Sequence, residues 1–135
     1  MSPELADKLI SAYPEQFKNL RWIECGDGWF SILSRLCYIV DSHLVRKKKL
    51  NEPLELFCWQ QIKEKFGGLR AYAYDADDFI KGAIEMAESM SYITCEVTGE
   101  RGKLRKQMLN EKQELIPAWI KTLCDNEAKK EGYVV

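Results

Sequence analysis

The chain has 135 residues, 46% of them hydrophobic and 30% charged, which predicts one folded domain around one core and excludes disorder over most of its length. Twenty Lys and Arg stand against 21 Asp and Glu, so a net charge of −1 supplies no long-range field to gather nucleic acid or anionic membrane, and any such binding would need a local patch. No run approaches the roughly 18 apolar residues of a membrane span, the opening MSPELADKLI lacks a basic region followed by an apolar run, and the five cysteines at 25, 37, 58, 95 and 124 are odd in number and scattered. These features predict reduced thiols in a cytosol.

In chain order, Ser2 reads as the cap of a first helix with Pro3 in its first turn, and Leu5, Leu9 and Ala12 recur at helical spacing until Pro14. Cys25 to Gly28 then form a turn in which Asp27 is placed to cap a second helix. That helix carries two adjacent apolar stripes, Phe30, Leu33, Cys37, Val40 and Leu44 beside Trp29, Ile32, Leu36 and Ile39, and so predicts the spine of the core. Arg46 to Lys49 follow as an exposed basic connector, with Asn51 and Pro53 ending any helix. From Glu55 to Tyr74 the pattern predicts two antiparallel strands joined at Gly67 and Gly68. Asp77 or Asp78 caps a third helix running to about Ser91, with Ile80, Ile84 and Ala87 inward. Pro117 reads as the first turn of a last helix with Ile116, Ile120 and Leu123 buried and Gly132 as its stop. Trp22, Trp29, Trp59 and Trp119 are expected mainly in the core, with Trp22, beside Arg21 in a turn-rich stretch, the one suited to be an exposed anchor. The expected fold is a single α+β domain over residues 1–135, about four helices around a β-hairpin or small antiparallel sheet.

The segment 95–127 has the outline of a zinc ribbon short of ligands. Structural zinc needs four soft or borderline donors in two pairs. Here the pairs are Cys95 with Thr98 and Cys124 with Glu127, so a hydroxyl and a hard carboxylate oxygen stand where sulfur or imidazole belongs. Nothing in the spacing of Cys25 or His43 predicts that either completes the set. The expectation is a knuckle without metal, in which Cys95 and Cys124 serve as small buried side chains.

The stretches RWIECGDGWFSILSRLC (21–37), QIKEKFGGLRAY (61–72), CEVTG (95–99) and the later Trp119 with TLCD (122–125) resemble a group of small proteins encoded by tailed bacteriophages and prophages. The resemblance covers most of the chain. In that group a Cys-x-x-Cys pair takes the place of Cys95 to Thr98, and a Cys-x-x-His pair that of Cys124 to Glu127; this chain departs at both second positions. The resemblance implies a viral setting and a degenerate ribbon, and it supplies no activity.

Two catalytic arrangements are weaker than their structural alternatives. Asp75, Asp77 and Asp78 crowd together, but carboxylates before a helix serve as caps and dipole partners. A Cys25 nucleophile with His43 as base lacks a third group to orient the imidazole. Basic contacts are better motivated: Lys63, Lys65 and Arg70 flank the glycine turn, and Arg101, Lys103 and Arg105 follow the ribbon-like turn. The expectation is therefore a non-enzymatic accessory protein of phage or prophage origin, at work in the host bacterial cytoplasm. It would bind a host or phage protein, a bacterial defence component among them, through those six residues, with no catalytic residue, metal, cofactor or membrane contact. The alternatives are a small nucleic-acid-binding module using the same cations and a protein that sequesters a nucleotide in a pocket lined by Trp and Tyr.

Overall fold

In the computed structural model, which describes residues 1–52 and 56–135, helix α1 (Pro3–Ala12) starts as its sequence predicts: the Ser2 Oγ accepts the Leu5 N–H at 3.4 Å. Asp27 is put to a different use from the one expected. Its carboxylate accepts the Ser2 N–H at 2.6 Å, tying the start of the chain to a 3-10 turn (Asp27–Trp29) that runs directly into helix α2 (Phe30–Lys49). Just before that turn lies strand β1 (Ile23–Glu24).

Helix α2 buries Leu33, Leu36, Cys37 and Val40. The four consecutive cations at its end, Arg46 to Lys49, are helical rather than a connector, because positive charge is favourable at the negative end of the helix dipole. Asn51 stops the helix in the left-handed region (φ 53°); its N–H donates to the Lys48 carbonyl at 3.2 Å, and the Glu52 N–H donates to the Lys47 carbonyl at 3.0 Å. Pro53 and Glu55, expected as the helix stop and the strand start, lie outside the described residues.

Strands β2 (Cys58–Lys65) and β3 (Gly68–Tyr74) form the predicted antiparallel hairpin. The turn sits one residue earlier than the Gly-Gly pair suggests, on Phe66 and Gly67 with φ of 51° and 80°, the pair of positive angles a two-residue hairpin loop requires. Strand β1 joins β2 in parallel, with Ile23 opposite Ile62. A bulge between Trp59 and Gln61 leaves Gln60 without a cross-strand partner. Helix α3 (Asp78–Ser91) is capped by Asp77, whose Oδ1 accepts the Ile80 N–H at 2.9 Å. It packs on α2 and on β3. Trp29, Leu33, Trp59, Ile62, Leu69 and Ile80 fill the space between the helices and the inner face of the sheet.

The C-terminal third departs from the expected helix. Residues 115–123 are strand β5 (Leu115–Leu123), paired antiparallel with β4 (Lys103–Leu109), and only Asp125–Lys130 form a last helix, α4, which Gly132 closes with φ 85°. Ile116 and Ile120 lie four residues apart, a spacing that puts both on one face of a helix and equally on one face of a strand. The β-branched content of Ile116, Ile120 and Thr122 favours the strand. Pro117 is accommodated in a two-stranded ladder next to a bulge between Arg105 and Gln107. Cys95, Leu123, Cys124, Ala128 and Tyr133 form a second, smaller core under this hairpin. The described residues form an α+β domain of four α-helices with a three-stranded and a two-stranded sheet.

Candidate functional site

The residues from Cys95 to Gly99 form a knuckle-shaped turn. The Gly99 N–H donates to the Cys95 carbonyl at 2.9 Å, the Cys95 N–H donates to the Glu100 carbonyl at 2.7 Å, and Cys124 is the residue that caps α4. The Thr98 hydroxyl reaches the Cys124 Sγ at 3.8 Å and also hydrogen-bonds the Cys95 thiol, so three of the four positions of a ribbon site face one another. Burial alone would raise the Cys95 thiol, but the Thr98 hydroxyl and the backbone N–H groups of Cys124, Thr98 and Val97 outweigh it and lower the thiol below its usual value. The donors do not fit zinc. Glu127 is held by Lys130 at 2.6 Å, and among the described residues no group of three or more His, Cys, Asp or Glu side chains is placed to hold a metal ion.

What holds the knuckle is its contact with the rest of the molecule. The Gly28 N–H donates to the Glu96 carbonyl at 2.7 Å, the Gly26 N–H donates to the Glu96 carboxylate at 2.9 Å, and the Trp29 indole N–H donates to the Thr94 carbonyl at 2.9 Å. A side chain at Gly28 would run into the carbonyls of Cys95 and Glu96. Burial pushes the Glu96 carboxyl up. The hairpin turn makes a second seam: the Thr122 hydroxyl donates to the Gly67 carbonyl at 2.6 Å, and a Cβ on Gly67 would meet Leu104. The glycine motifs at 26–28 and 67–68 thus seat the C-terminal unit on the main body.

The six basic candidates divide by environment. Lys63 and Arg70 face each other across β2 and β3, and the Lys63 ammonium lies 6.0 Å from the Tyr72 ring. Arg70 is paired with Glu88 of α3 at 2.5 Å, and Lys65 lies 5.7 Å from the Phe66 ring. Arg101, Lys103 and Arg105 border a different depression, of about 390 Å³, shared with Cys124 and Asp125. Arg105 is only 7% exposed, and its guanidinium donates to the Leu123 carbonyl at 3.2 Å and to Asp125 at 2.6 Å. It braces the hairpin to α4.

His43 does have an orienting partner, contrary to expectation. Its Nε2 lies 2.6 Å from Asp77 Oδ2, which also accepts from Lys47 at 3.2 Å, and the imidazole stacks on Phe79 with centroids 4.2 Å apart. Burial would raise the Asp77 carboxyl, but hydrogen bonds from His43, the Ile80 N–H and Lys47 hold it at about 2. The arrangement binds the end of α2 to the start of α3. Cys25 is not part of it, being seated before the start of α2 while His43 lies about 20 Å further along the helix, and burial pushes its thiol up to about 12.

Two surface features escape the sequence reading. The second α2 stripe is covered only in part by α3, leaving an apolar groove of about 370 Å³ lined by Ile32, Leu36, Ile39, Ala83, Met86 and Met90. Met86 is 66% exposed. The other is the outer face of the three-stranded sheet, where Leu20, Trp22, Gln60, Gln61, Lys63 and Tyr72 line a depression of about 520 Å³ together with Glu24. Trp22 is 77% exposed and Trp119 69%, whereas Trp29 and Trp59 are buried, so the core expectation fails for Trp119 and for Trp22, where the exposed alternative is the one found. Comparison with protein-family models, with curated proteins and with solved structures finds no match.

Proposed function

We propose that this chain is a non-enzymatic accessory protein that binds a protein partner by seating an amphipathic helix of that partner in the groove between α2 and α3. The groove is the observation that carries the proposal. Its walls are almost wholly apolar, and methionine side chains adapt to the shape of what enters. From Ser31 to Ile39 the α2 wall runs about 12 Å, room for about two turns of a docked helix with apolar anchors at helical spacing.

Charge selects the partner further. Beyond Ile39 the same face of α2 continues to the exposed Arg46 and Lys49, which favour acidic residues at that end of the docked helix. The phage or prophage setting suggested by the sequence would make the partner a host or phage protein in the bacterial cytoplasm, a defence component among the candidates. The basic clusters play a lesser part in this proposal, because Arg105 and Arg70 are engaged within the fold.

A photo-crosslinking residue at Met86 tests the proposal in lysates of infected and uninfected cells. The expected result is one dominant adduct, lost on Ile39→Asp and retained on Lys65→Glu. An adduct indifferent to Ile39→Asp, or none in either lysate, refutes groove docking.

A further inference from the structure

We propose that the outer face of the β1-β2-β3 sheet binds a nucleobase, stacked between Trp22 and Tyr72, with its edge on Gln60 and Gln61 and its phosphate toward Lys63. The face is separate from the α2–α3 groove, and the inference does not rest on it.

Sheet register brings these residues together. Ile23 pairs with Ile62 in parallel, so Trp22, the residue just before β1, comes beside Gln61, with which it lines one depression, and Gln61 is opposite Tyr72 on β3. Ile23 and Ile62 point into the core, so their neighbours Trp22 and Gln61 point out. The result is one outward row, Trp22–Gln61–Tyr72, with the aromatic residues at its two ends. Two strand spacings separate the end backbones by roughly 10 Å. A base stacked between two rings needs roughly 7 Å, twice the 3.4 Å rise of a stacked strand.

The bulge adds a second polar group. Because Gln60 is unopposed, it is exposed next to Gln61 instead of alternating to the inner face. Two adjacent carboxamides supply both donors and acceptors, the complement of a base edge. The next row across the sheet is Glu24–Lys63–Arg70. Arg70 is held by Glu88, and Glu24 offsets further positive charge, which leaves Lys63 as the cation for a phosphate. With a net charge of −1 on the whole chain, the face suits a mononucleotide or a short single strand rather than a duplex.

Tryptophan fluorescence tests this on the full chain with three probes: a mononucleotide (AMP), a single-stranded octathymidylate and an eight-base-pair duplex. The expected result is saturable quenching by AMP or by the single strand. Binding by AMP as tight as by the octamer identifies a free nucleotide as the ligand, and binding by the octamer alone identifies a strand. Trp22→Phe, followed with the same label or calorimetry as Trp22→Ala, should retain binding, whereas Tyr72→Ala should weaken it about 5- to 150-fold, the usual effect of losing one stacking platform. Trp22→Ala, followed with a fluorescein-labelled octamer or, if AMP alone binds, by calorimetry, should weaken binding equally. If the octamer binds, Lys63→Gln should reduce the log–log salt slope by about 0.7. Circular dichroism shows whether each variant is folded. The proposal is overturned if no probe binds, if binding survives both alanine substitutions, or if the duplex binds as tightly as the single strand.

Discussion

Replacing Asp77 with Asn separates two jobs that one side chain performs. Asn caps a helix about as well as Asp, so the bond to the Ile80 N–H persists, while the charge that meets His43 and Lys47 is removed. The carboxyl titrates at about 2 in the folded chain against an ordinary 3.8, a difference that sets a ceiling of about 2.4 kcal/mol. The side chain is 20% exposed, and solvent screening reduces the expected loss to about 1–1.5 kcal/mol. For a domain of this size that is about 4–5 °C in Tm at pH 7. The sign follows from the lowered pKa: the stabilisation is complete above about 4 and disappears as pH falls through about 2. Urea denaturation of wild type and Asp77→Asn between pH 7 and 2 should therefore show curves that converge in acid. Asp77→Ala should cost about 1 kcal/mol more at every pH, because the cap is lost as well. A gap between wild type and Asp77→Asn that stays constant with pH, or no gap at pH 7, would refute the electrostatic account of the α2–α3 junction.

Two further predictions address the C-terminal unit. Gly28→Ala should lower stability by about 2–3 kcal/mol, since the added methyl must displace the Cys95 and Glu96 carbonyls; an unchanged urea midpoint would show that the seam is looser than the close approach implies. Thr98→Cys combined with Glu127→His supplies the two donors the knuckle lacks, and the double variant should bind about one zinc per chain and lose stability on chelation. Elemental analysis decides the matter, and failure to take up zinc would mean that the four positions do not converge as a ribbon's do.

Local signals proved legible wherever the deciding chemistry lay within a few residues. Ser2 and Asp77 cap the helices they precede, and Gly67 marks the hairpin, because a cap or a tight turn is settled by its own backbone. The strand at 115–123 reads as a helix in sequence because Ile116 and Ile120 fit either period, and Pro117 is as acceptable beside a bulge as in a first helical turn. Two-residue β1 has no periodicity to detect; it exists only because β2 lies beside it. The candidate surfaces were hidden for a related reason. The two stripes of α2 look alike in sequence, and only the placement of α3 decides that Leu36 is covered while Ile39 stays open. The Trp22–Gln61–Tyr72 row joins residues of β2 and β3 to the residue just before β1, a strand invisible to pattern, and the extra outward amide at Gln60 depends on a bulge that no composition rule announces.

The backbone seam between Gly28 and the Cys95–Glu96 carbonyls bears on how such a chain changes over generations. A finger propped from outside by main-chain bonds keeps its form whatever side chains its tip carries, so those positions are open to change one at a time. Thr98 and Glu127, bonded to Cys124 and Lys130, sit in a finger whose form is held from outside and depends on neither of them.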